Sequence, residues 1–254
     1  MPEKLSVVII TFNEEDNIER CLKSVEGLAD EIVVLDSFST DKTESVCKSF
    51  GVKFYRQKFK GYIEQKNDVL KYASNNWVLS LDADEVLSNT LFTEIKKTME
   101  NPDADVYGFN RLNNYCGKWI RHSGWYPDKK LRLWKKEKGK WGGINPHDKL
   151  MTEKDAVIKY LKGDLLHYSY KTIDEHIAQI NKFSTIAAIE AHKNGKKSNV
   201  TTILIRSFWK FVRNYFLKSG FLDGYYGFIV CSLTGWETFV KYVKLKELNS
   251  YEKK

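Results

Sequence analysis

The sequence lacks several patterns that mark common protein classes. Its four cysteines, Cys21, Cys47, Cys116 and Cys231, form no Cys-x-x-Cys pair, which argues against a zinc ribbon, a thioredoxin-type site and a disulfide scaffold. It has no low-complexity tract, no signal-peptide pattern and no uninterrupted apolar run of the roughly 20 residues that span a bilayer. It also has no Gly-x-Gly-x-x-Gly or Gly-x-x-x-x-Gly-Lys-Ser/Thr sequence, so a dinucleotide-binding domain or a P-loop is not expected. These absences favour a cytoplasmic globular enzyme.

The composition is that of a globular protein with an excess of basic residues. The 254 residues are 42% hydrophobic and 29% charged, and the formal net charge is +8. A chain of this length can bury a substantial core, either as one large domain or as a domain with an appendage. The charge is compatible with phosphate-bearing substrates, nucleic acid or a lipid surface, and does not choose among them.

The first third of the chain alternates between two patterns. Apolar, β-prone runs at 6–12, 31–35, 52–56 and 77–81 are separated by segments with helical spacing. This alternation predicts βαβ units and a mostly parallel sheet flanked by helices. Polar side chains follow three of these strands: Thr11, Asn13 and Glu14; Asp36; and Asp82, Asp84 and Glu85. Because ligands of such folds bind at the carboxyl ends of the strands, we expect these groups to converge on one sheet edge.

The carboxylates of Asp82, Asp84 and Glu85 repel one another unless a cation shares them. Oxygen ligands of this kind suit Mg²⁺ or Mn²⁺, which commonly carry substrate phosphates as their other ligands. The alternative is a strand followed by a capped helix start, with Ser88 as the N-cap. From these residues alone, both interpretations stay open.

Four segments resemble the successive motifs of the family 2 glycosyltransferases. They are Val8-Ile-Ile-Thr-Phe-Asn-Glu14, Val34-Leu-Asp-Ser-Phe-Ser-Thr-Asp-Lys-Thr43, Gln65-Lys-Asn67 and Asp82-Ala-Asp-Glu85, and their order and spacing match over residues 5–86. The resemblance implies an inverting, metal-dependent enzyme with a GT-A fold, the Rossmann-like mixed α/β sheet of nucleotide-diphospho-sugar transferases.

The same resemblance implies roles for individual residues. Thr11, Asn13 and Glu14 would border the nucleotide, Asp36 would bind the base or ribose, and Lys66 or Asn67 would lie near the base and phosphates. Asp84 would ligate the metal, with Asp82 beside the donor sugar and ribose and as a second candidate ligand. Phe38 departs from the family pattern, because glycine is common at its position.

Residues 112–150 contain few aliphatic side chains but four tryptophans and five glycines, which predicts a long irregular segment carrying function. The tryptophans could stack on sugar rings or simply pack loops onto the sheet. A strand is predicted over 129–134, with Lys130 and Arg132 on one side as candidates for donor binding.

A predicted turn at Asn145-Pro-His-Asp-Lys149 brings an imidazole and a carboxylate together. This block resembles one in the subgroup of β-1,4-glucosyltransferases that extend the lipopolysaccharide inner core, although Asp148 stands where the subgroup has glutamate. Inverting transfer needs one general base for the acceptor hydroxyl. The resemblance implies Asp148 as that base, with His147 orienting it or contacting phosphate and Glu85 as second candidate. Without the resemblance, a turn capped by the aspartate is the simpler interpretation.

His167 lies in a predicted strand over 165–170. A lone histidine is more often structural than a ligand. A similar histidine in the resembling subgroup implies contact with the metal or the diphosphate. We therefore expect residues 1–170 to form the GT-A catalytic domain.

From residue 171 the chain is predicted to be helical. A helix over 172–193 is expected to bury a stripe of Ile173, Ile177, Ile180, Phe183, Ile186 or Ala187, and Ile189. A second helix over 203–216 carries a basic stripe of Arg206, Lys210 and Arg213. The stripe fits an anionic membrane surface, and equally a packed helix with its charges in water. Residues 221–236 predict an interfacial or re-entrant-like helix, and the basic tail over 241–254 is expected to be frayed.

The expected activity is inverting transfer of a sugar from a nucleotide donor to a lipid-linked acceptor. The expected donor is UDP-glucose with Mg²⁺ or Mn²⁺, the acceptor lipopolysaccharide core, and the location the inner face of the cytoplasmic membrane. Polyprenyl phosphate or another cell-surface polysaccharide is the alternative acceptor. A sugar-phosphate nucleotidyltransferase is a rival, but the acidic segment 13–16 does not fit its phosphate loop. A nucleic-acid-binding module is another, but the basic residues are spread along the chain, so no nucleic-acid partner is expected.

Overall fold

The computed structural model describes residues 2–144 and 147–251, with the backbone alone described for Ile144 and His147. The chain forms two compact units. The first comprises Met1–Arg111 and Asp128–Tyr168, and the second comprises Leu112–Pro127 and Ser169–Lys254. The expected division into a catalytic domain over 1–170 and a helical region over 171–254 remains a prediction.

The first unit begins with the predicted alternation of strands and helices. In chain order the elements are β1 (Leu5–Thr11), α1 (Ile18–Val25), β2 (Glu31–Asp36), α2 (Thr43–Ser49), β3 (Lys53–Arg56), α3 (Tyr62–Leu70) and β4 (Trp77–Asp82). The four strands are parallel, in the order β3-β2-β1-β4. The βαβ units expected from the sequence are therefore present.

The sheet then continues with antiparallel strands. The next elements are β5 (Glu85–Leu87), α4 (Asn89–Glu100), β6 (Val106–Tyr115), β7 (Lys118–Ile120), β8 (Asp128–Lys135), β9 (Gly139–Ile144), β10 (His147–Thr152) and β11 (Ile158–Tyr170). Within the described residues the full order is β3-β2-β1-β4-β8-β6-β11-β5, with β8 antiparallel to β4 and to β6. The predicted fold class, a mixed α/β sheet of the GT-A type, is confirmed.

Alternation along the strands explains how the core divides. On β1, Val7 and Ile9 point to the face covered by α1 and α4, whereas Val8 points to the face covered by α3. These side chains are fully buried, as expected for parallel strands covered by helices on both faces. The sheet is therefore held rigidly on both sides, and its strand ends are fixed relative to one another.

The expectation of a long irregular segment over 112–150 is wrong. Most of this segment is strand, and β9 and β10 form a separate antiparallel hairpin in which Trp141 pairs with Leu150. The predicted turn at 145–149 is correspondingly too long, because pairing with β9 continues through His147 and Asp148. Asn145 and Pro146 lie outside the described residues. Glycines in β9 hide its strand character from a propensity argument, since the pairing is decided by the partner strand.

The second unit is mainly helical. It contains α5 (Ile173–Lys193), α6 (Val200–Val212) and α7 (Gly224–Tyr251), with a wide helical turn at Arg213–Leu217 and a tight one at Gly220–Asp223 between α6 and α7. Thr172 caps α5 in a capping box with Glu175. Asp223 is buried and accepts hydrogen bonds from the backbone N–H groups of Arg121 and His122.

Three expectations about this unit need correction. Ile177 and Ile189 are 44% and 42% exposed, so the predicted stripe on α5 is only partly buried. The predicted helix over 221–236 is part of the much longer α7. The tail is helical as far as Tyr251 rather than frayed, and residues 252–254 lie outside the described part. Searched over the described residues, the chain shows no helix with the length and apolarity to cross a membrane.

Candidate active site

The three strand ends predicted to converge do lie side by side. Thr11 of β1 is in register with Asp36 of β2, and Ile10 of β1 is in register with Asp82 of β4. The groups that follow β1, β2 and β4 therefore share one edge of the sheet. This edge is where ligands of doubly wound α/β folds bind.

The loop after β1 is tied to the loop after β2. The Asn13 N–H donates to Ser39 Oγ over 2.8 Å, and Asn13 Oδ1 accepts from the Thr40 N–H over 2.9 Å. The Glu14 N–H donates to Thr43 Oγ1 over 2.8 Å. Asn13 and Glu14 therefore join the two loops into one wall of the site. Their predicted contact with the nucleotide stays a prediction.

Asp36 is fully buried at the end of β2, and its carboxylate accepts from the Ser39 N–H over 2.8 Å. The turn between these residues places Phe38 at a φ of +65°, in the left-handed region. Glycine adopts this region freely, whereas phenylalanine does not. Phe38 therefore keeps the backbone conformation of a glycine position at an energetic cost. Phe38 is 52% exposed.

Lys66 of α3 lies between two carboxylates. Its side chain is almost fully buried, and its Nζ is 2.9 Å from Asp82 Oδ1 and 2.9 Å from Asp148 Oδ2. The predicted general base and the predicted sugar-binding aspartate thus share one ammonium group. Sequence separation had given no sign of this contact, because Lys66 and Asp148 are 82 residues apart.

Arg132 of β8 holds the other side of Asp82. Its Nη2 is 2.8 Å from Asp82 Oδ2 and 2.9 Å from Glu85 Oε1. Burial acts to raise the pKa of Asp82, but Lys66 and Arg132 outweigh it and lower that pKa well below its ordinary value. Burial likewise acts to lower the pKa of Arg132, and Glu85 with Asp82 outweighs it and raises the pKa. Both groups are therefore charged at neutral pH.

Glu85 is fully buried beneath the site. Its Oε2 accepts from the Asp82 N–H over 2.9 Å, and its Oε1 faces Arg132 and, at 3.6 Å, Arg111 Nη1. Each of these contacts ties Glu85 to a neighbouring residue, and the side chain has no solvent exposure. Glu85 therefore holds Arg132 and Arg111 in place. These contacts give no support to its predicted role as the alternative base.

Two further residues of the network escaped the sequence analysis. Arg111 Nη2 is 2.9 Å from Asp128 Oδ2, and Lys130 Nζ is 3.1 Å from Asp128 Oδ1. Arg111 is in register with Asp128 across the β6–β8 pair. The available signal was the alternation along β6, which places Arg111 on the same side as buried Phe109 and so predicts a cation in need of a partner.

The charged side chains form an alternating series, which we call the ion-pair chain. It runs Asp148, Lys66, Asp82, Arg132, Glu85, Arg111, Asp128 and Lys130. Each internal member has opposite charges on both sides, so the site is electrostatically pre-organised.

Trp141 of β9 covers the middle of the ion-pair chain. Lys66 Nζ lies 4.6 Å and Arg132 Cζ 5.3 Å from the centroids of its rings, within cation–π range. Asn67 fixes this tryptophan, because Asn67 Nδ2 donates to the Trp141 carbonyl over 2.9 Å and Asn67 Oδ1 accepts from the Trp141 N–H over 3.0 Å. Both ends of the Asn67 amide are used in this way. Its predicted position near the base and phosphates remains a prediction.

Asp84 and His167 form a separate pair beside this chain. Asp84 Oδ2 is 3.1 Å from His167 Nε2, and the Asp84 carbonyl accepts from the Tyr168 N–H over 3.0 Å. Both side chains keep some solvent exposure, 25% for Asp84 and 18% for His167. Strand pairing explains the contact, since β11 places His167 opposite Glu85.

We tested whether these residues fit a divalent cation. Over residues 2–144 and 147–251, no group of three or more His, Cys, Asp or Glu side chains is arranged to hold one. Mg²⁺ sites commonly use only one or two carboxylates and complete their shell with substrate phosphates and water. Asp84 with His167 fits that kind of site. Asp82 fits it less well, because both of its oxygens already face cations.

Several polar atoms in the site have no partner among the described residues. Arg132 Nε and Nη1, Trp141 Nε1 and Thr11 Oγ1 are buried without a hydrogen bond. Buried donors of this kind are costly unless a ligand or water satisfies them. Because three of the four lie on Arg132 and Trp141, the centre of the site has unused capacity for an acceptor such as a phosphate oxygen. His147, the other predicted catalytic residue, has its side chain outside the described part.

Comparisons with known proteins show what this chain is similar to. The sequence model described as "Glycosyl transferase family 2" matches residues 6–160. The uncharacterized glycosyltransferase RT0209 of Rickettsia typhi is 32% identical over 97% of this chain and 88% of its own length. The lipopolysaccharide core biosynthesis glycosyltransferase LpsC of Rhizobium meliloti is 28% identical over 94% of this chain and 93% of its own. Among solved structures, residues 1–349 of S. aureus TarS with UDP-GlcNAc give a TM-score of 0.49 at 16% identity, covering 98% of this chain and 92% of that one.

Proposed function

The chain belongs to glycosyl transferase family 2, and we propose that it transfers a hexose from a nucleotide donor to a lipid-linked glycan with inversion. The observation that carries this proposal is the ion-pair chain at the carboxyl ends of the parallel strands, where Asp82 and Asp148 share Lys66. Because the chain belongs to this family, glycosyl transfer is favoured over the two rival interpretations, a nucleotidyltransferase and a nucleic-acid-binding module.

Asp148 is the general base in this proposal. Its side chain is 14% exposed, and one described contact, with Lys66 Nζ, restrains its carboxylate. It can therefore accept the proton of an acceptor hydroxyl as that oxygen attacks the anomeric carbon. Lys66 holds the carboxylate in place through their 2.9 Å contact.

Lys66 and Arg132 bind the donor's diphosphate side. Negative charge develops on the leaving nucleoside diphosphate, and fixed cations nearby stabilise it without reorganising. Arg132 has two buried nitrogens, Nε and Nη1, with no hydrogen-bond partner among the described residues. We propose that they donate to an oxygen of the diphosphate. Lys130, Asp36 and the loop residues Thr11, Asn13 and Glu14 are proposed to complete the donor site.

Asp84 and His167 would hold a divalent cation, Mg²⁺ or Mn²⁺. When bound, this ion supplies Lewis-acid stabilisation of the diphosphate oxygens. The chain's own contribution is to fix the two ligands, since His167 is set by its register with Glu85 and Asp84 is set by its backbone bond to Tyr168.

We propose UDP-glucose as the donor and lipopolysaccharide core as the acceptor. The name of LpsC supports the acceptor, since that relative aligns with nearly the whole chain. The glucose proposal depends on the resemblance of residues 145–149 to the core glucosyltransferases. A lipid-linked acceptor also puts the reaction at a membrane surface. We propose the basic, aromatic helices α6 and α7 as the contact with the inner face of the cytoplasmic membrane.

The test is turnover of nucleotide sugars by the purified chain. UDP-glucose, UDP-galactose, UDP-GlcNAc and GDP-mannose are each supplied with Mn²⁺ or Mg²⁺, and with either lipopolysaccharide core or polyprenyl phosphate as acceptor. We expect a β-glucoside on the core, identified by the NMR coupling of its anomeric proton. Turnover on polyprenyl phosphate alone would move the proposal to that acceptor. If no nucleotide sugar is bound, hydrolysed or transferred, the transferase proposal fails.

Asp84→Ala tests the cation separately from activity. We expect Mn²⁺ binding, followed by its electron paramagnetic resonance in the presence of UDP, to be lost in this variant. Asp155→Asn is the control, because Asp155 is an exposed aspartate whose side chain is 73% accessible and pairs with Lys138. Unchanged Mn²⁺ binding by Asp84→Ala would show that the ion is held elsewhere.

A further inference from the structure

A cavity of about 280 Å³ lies between α6 and α7, within the second unit. Its described lining consists of basic and aromatic side chains with one threonine: Arg206, Trp209, Lys210 and Arg213 from the α6 side, and Thr238, Lys241 and Tyr242 from α7. Four of these seven residues are cations, and none is a carboxylate. The α6 positions recur at i, i+3, i+4 and i+7, so they share one face of the helix. We call this cavity the basic pocket.

Two cations of the basic pocket lie against the same aromatic ring. Arg206 Cζ lies 5.4 Å from the centroid of the Tyr242 ring, and Lys241 Nζ lies 5.7 Å from the same centroid. One aromatic ring is thus flanked by two cations. Arg213 adds a guanidinium group whose Nε donates to Asn214 Oδ1 at the long distance of 3.5 Å.

The pKa of Lys210 reports the resulting field. Burial lowers this pKa first, and the neighbouring cations Arg213, Lys218 and Lys241 lower it further. Glu237 acts in the opposite direction without reversing the shift. The surroundings of Lys210 therefore disfavour a further positive charge, and an anion in the pocket would relieve that repulsion.

Another face of α6 is apolar and uncovered. Leu204, Ile205 and Phe208 are 57%, 62% and 70% exposed, and the helical turn after α6 adds Phe216 and Leu217 at 56% and 67%. At about 100° per residue, Ile205 lies next to Trp209 around the helix, whereas Leu204 and Phe208 lie roughly 150–170° from the centre of the pocket face. A helix with cations on one face and exposed apolar side chains on the other is typical of a membrane interface.

We propose that the basic pocket binds the phosphate of an anionic membrane lipid, while the apolar face of α6 lies among the acyl chains. Arg206 and Arg213 offer planar guanidinium groups that match phosphate oxygens, and Trp209 is half-exposed at the junction of the two faces. The basic stripe predicted from the sequence is thus one wall of a binding site. The lipid occupant rests on the membrane contact proposed above, but the pocket and its test do not depend on sugar transfer.

The experiment measures vesicle binding by the full chain in the absence of any nucleotide sugar. Vesicles of phosphatidylcholine with phosphatidylglycerol are compared with vesicles of phosphatidylcholine alone, by flotation. Arg206→Gln/Lys241→Gln removes two pocket cations, and we expect it to weaken binding to the anionic vesicles by about tenfold or more. Lys182→Gln/Lys246→Gln is the matched control, because it removes the same charge at exposed positions outside the pocket lining. We expect this control to lose less than about threefold.

Two further measurements distinguish lipid binding in the pocket from nonspecific electrostatic attraction and from binding of a free anion. Phe208→Ser should release the chain from vesicles, whereas titration with glycerol phosphate should show wild-type and Phe208→Ser binding that anion alike. If both double variants lose vesicle binding equally, the binding is general electrostatic attraction, and the proposal of a lipid site in the basic pocket is overturned. Glycerol phosphate binding that depends on Arg206 and Lys241, together with no vesicle binding by the wild type, would overturn the lipid occupant. Because no arm uses catalysis, failure here is distinguishable from failure of the transferase proposal.

Discussion

Asp148 and Glu85 are the two candidates for the general base, and neutralising them should have different effects. Neutralising Asp148 should mainly lower kcat, whereas neutralising Glu85 should mainly lower the free energy of unfolding. Asp148→Asn removes one ion pair, with Lys66 at 2.9 Å, and Lys66 keeps Asp82 as a partner. We expect this variant to fold with a loss of about 1–2 kcal/mol in the free energy of unfolding. Its kcat should fall by about 10²–10⁴-fold, which is the usual contribution of a general base.

Glu85→Gln should instead be limited by stability. The Glu85 carboxylate is fully buried and faces Arg132 at 2.9 Å and Arg111 at 3.6 Å, while also accepting the Asp82 N–H. Removing one partner of a buried ion pair costs about 3–5 kcal/mol, because the remaining charge is left uncompensated. For a protein of this size, a loss of about 3 kcal/mol lowers Tm by about 6–12 °C.

Calorimetry and initial rates at saturating donor, measured well below each variant's Tm, separate the two effects. Asp155→Asn serves as the control for neutralising an aspartate on the surface, where an ion pair contributes little. The reasoning is refuted if Asp148→Asn retains full transfer while Glu85→Gln unfolds at the wild-type temperature and is inactive. That result would make Glu85 the base and Asp148 a tether for Lys66.

Three further predictions concern stability. Phe38→Gly should raise the free energy of unfolding by about 1 kcal/mol in urea titrations, because Phe38 holds a φ of +65°, and Phe38→Ala should give no such gain. Burial lowers the pKa of His176 from 6.5 to about 4, so between these pH values the unfolded chain is protonated at His176 and the folded chain is not. The free energy of unfolding should therefore fall as pH drops from 6.5 toward 4, by up to about 3 kcal/mol, and His176→Gln should remove that slope. Gly227→Ala places a Cβ 2.0 Å from the Gly220 carbonyl oxygen and should cost about 3 kcal/mol in thermal melts, whereas a Cβ at Gly235 meets nothing closer than 3.3 Å and its alanine variant should cost less.

The parallel half of the sheet was predictable because its signals are local. Each strand of the motif region is a short apolar run, and each polar group of interest directly follows a strand. The rule that parallel strands share an edge was then enough to bring Thr11, Asp36 and Asp82 together. No long-range information was needed for that step.

The antiparallel half depended on pairings that the local sequence does not encode. Arg111 pairs with Asp128 across two strands, and Trp141, whose backbone is bound by Asn67, lies over Lys66. Each of these contacts joins residues far apart in the chain. The same holds for α5, where isoleucine spacing predicted exposed Ile177 as core, whereas packing against α7 buries small side chains such as Ala188.

The charge balance of the site explains why a donor and a cation belong together there. The ion-pair chain has four acidic and four basic members, so its formal charges cancel among the described residues. Asp84 adds one negative charge beside it, which makes a diphosphate alone unfavourable at that position. A divalent cation on Asp84 and His167 would reverse the local sign, and Arg132 would still offer the phosphate oxygens N–H donors that have no partner among the described residues. We therefore expect UDP binding, measured by calorimetry, to weaken strongly when the divalent cation is chelated and to weaken further in Arg132→Lys, which retains the charge but loses the guanidinium fork. Equal UDP affinity with and without the cation would contradict this account of the site.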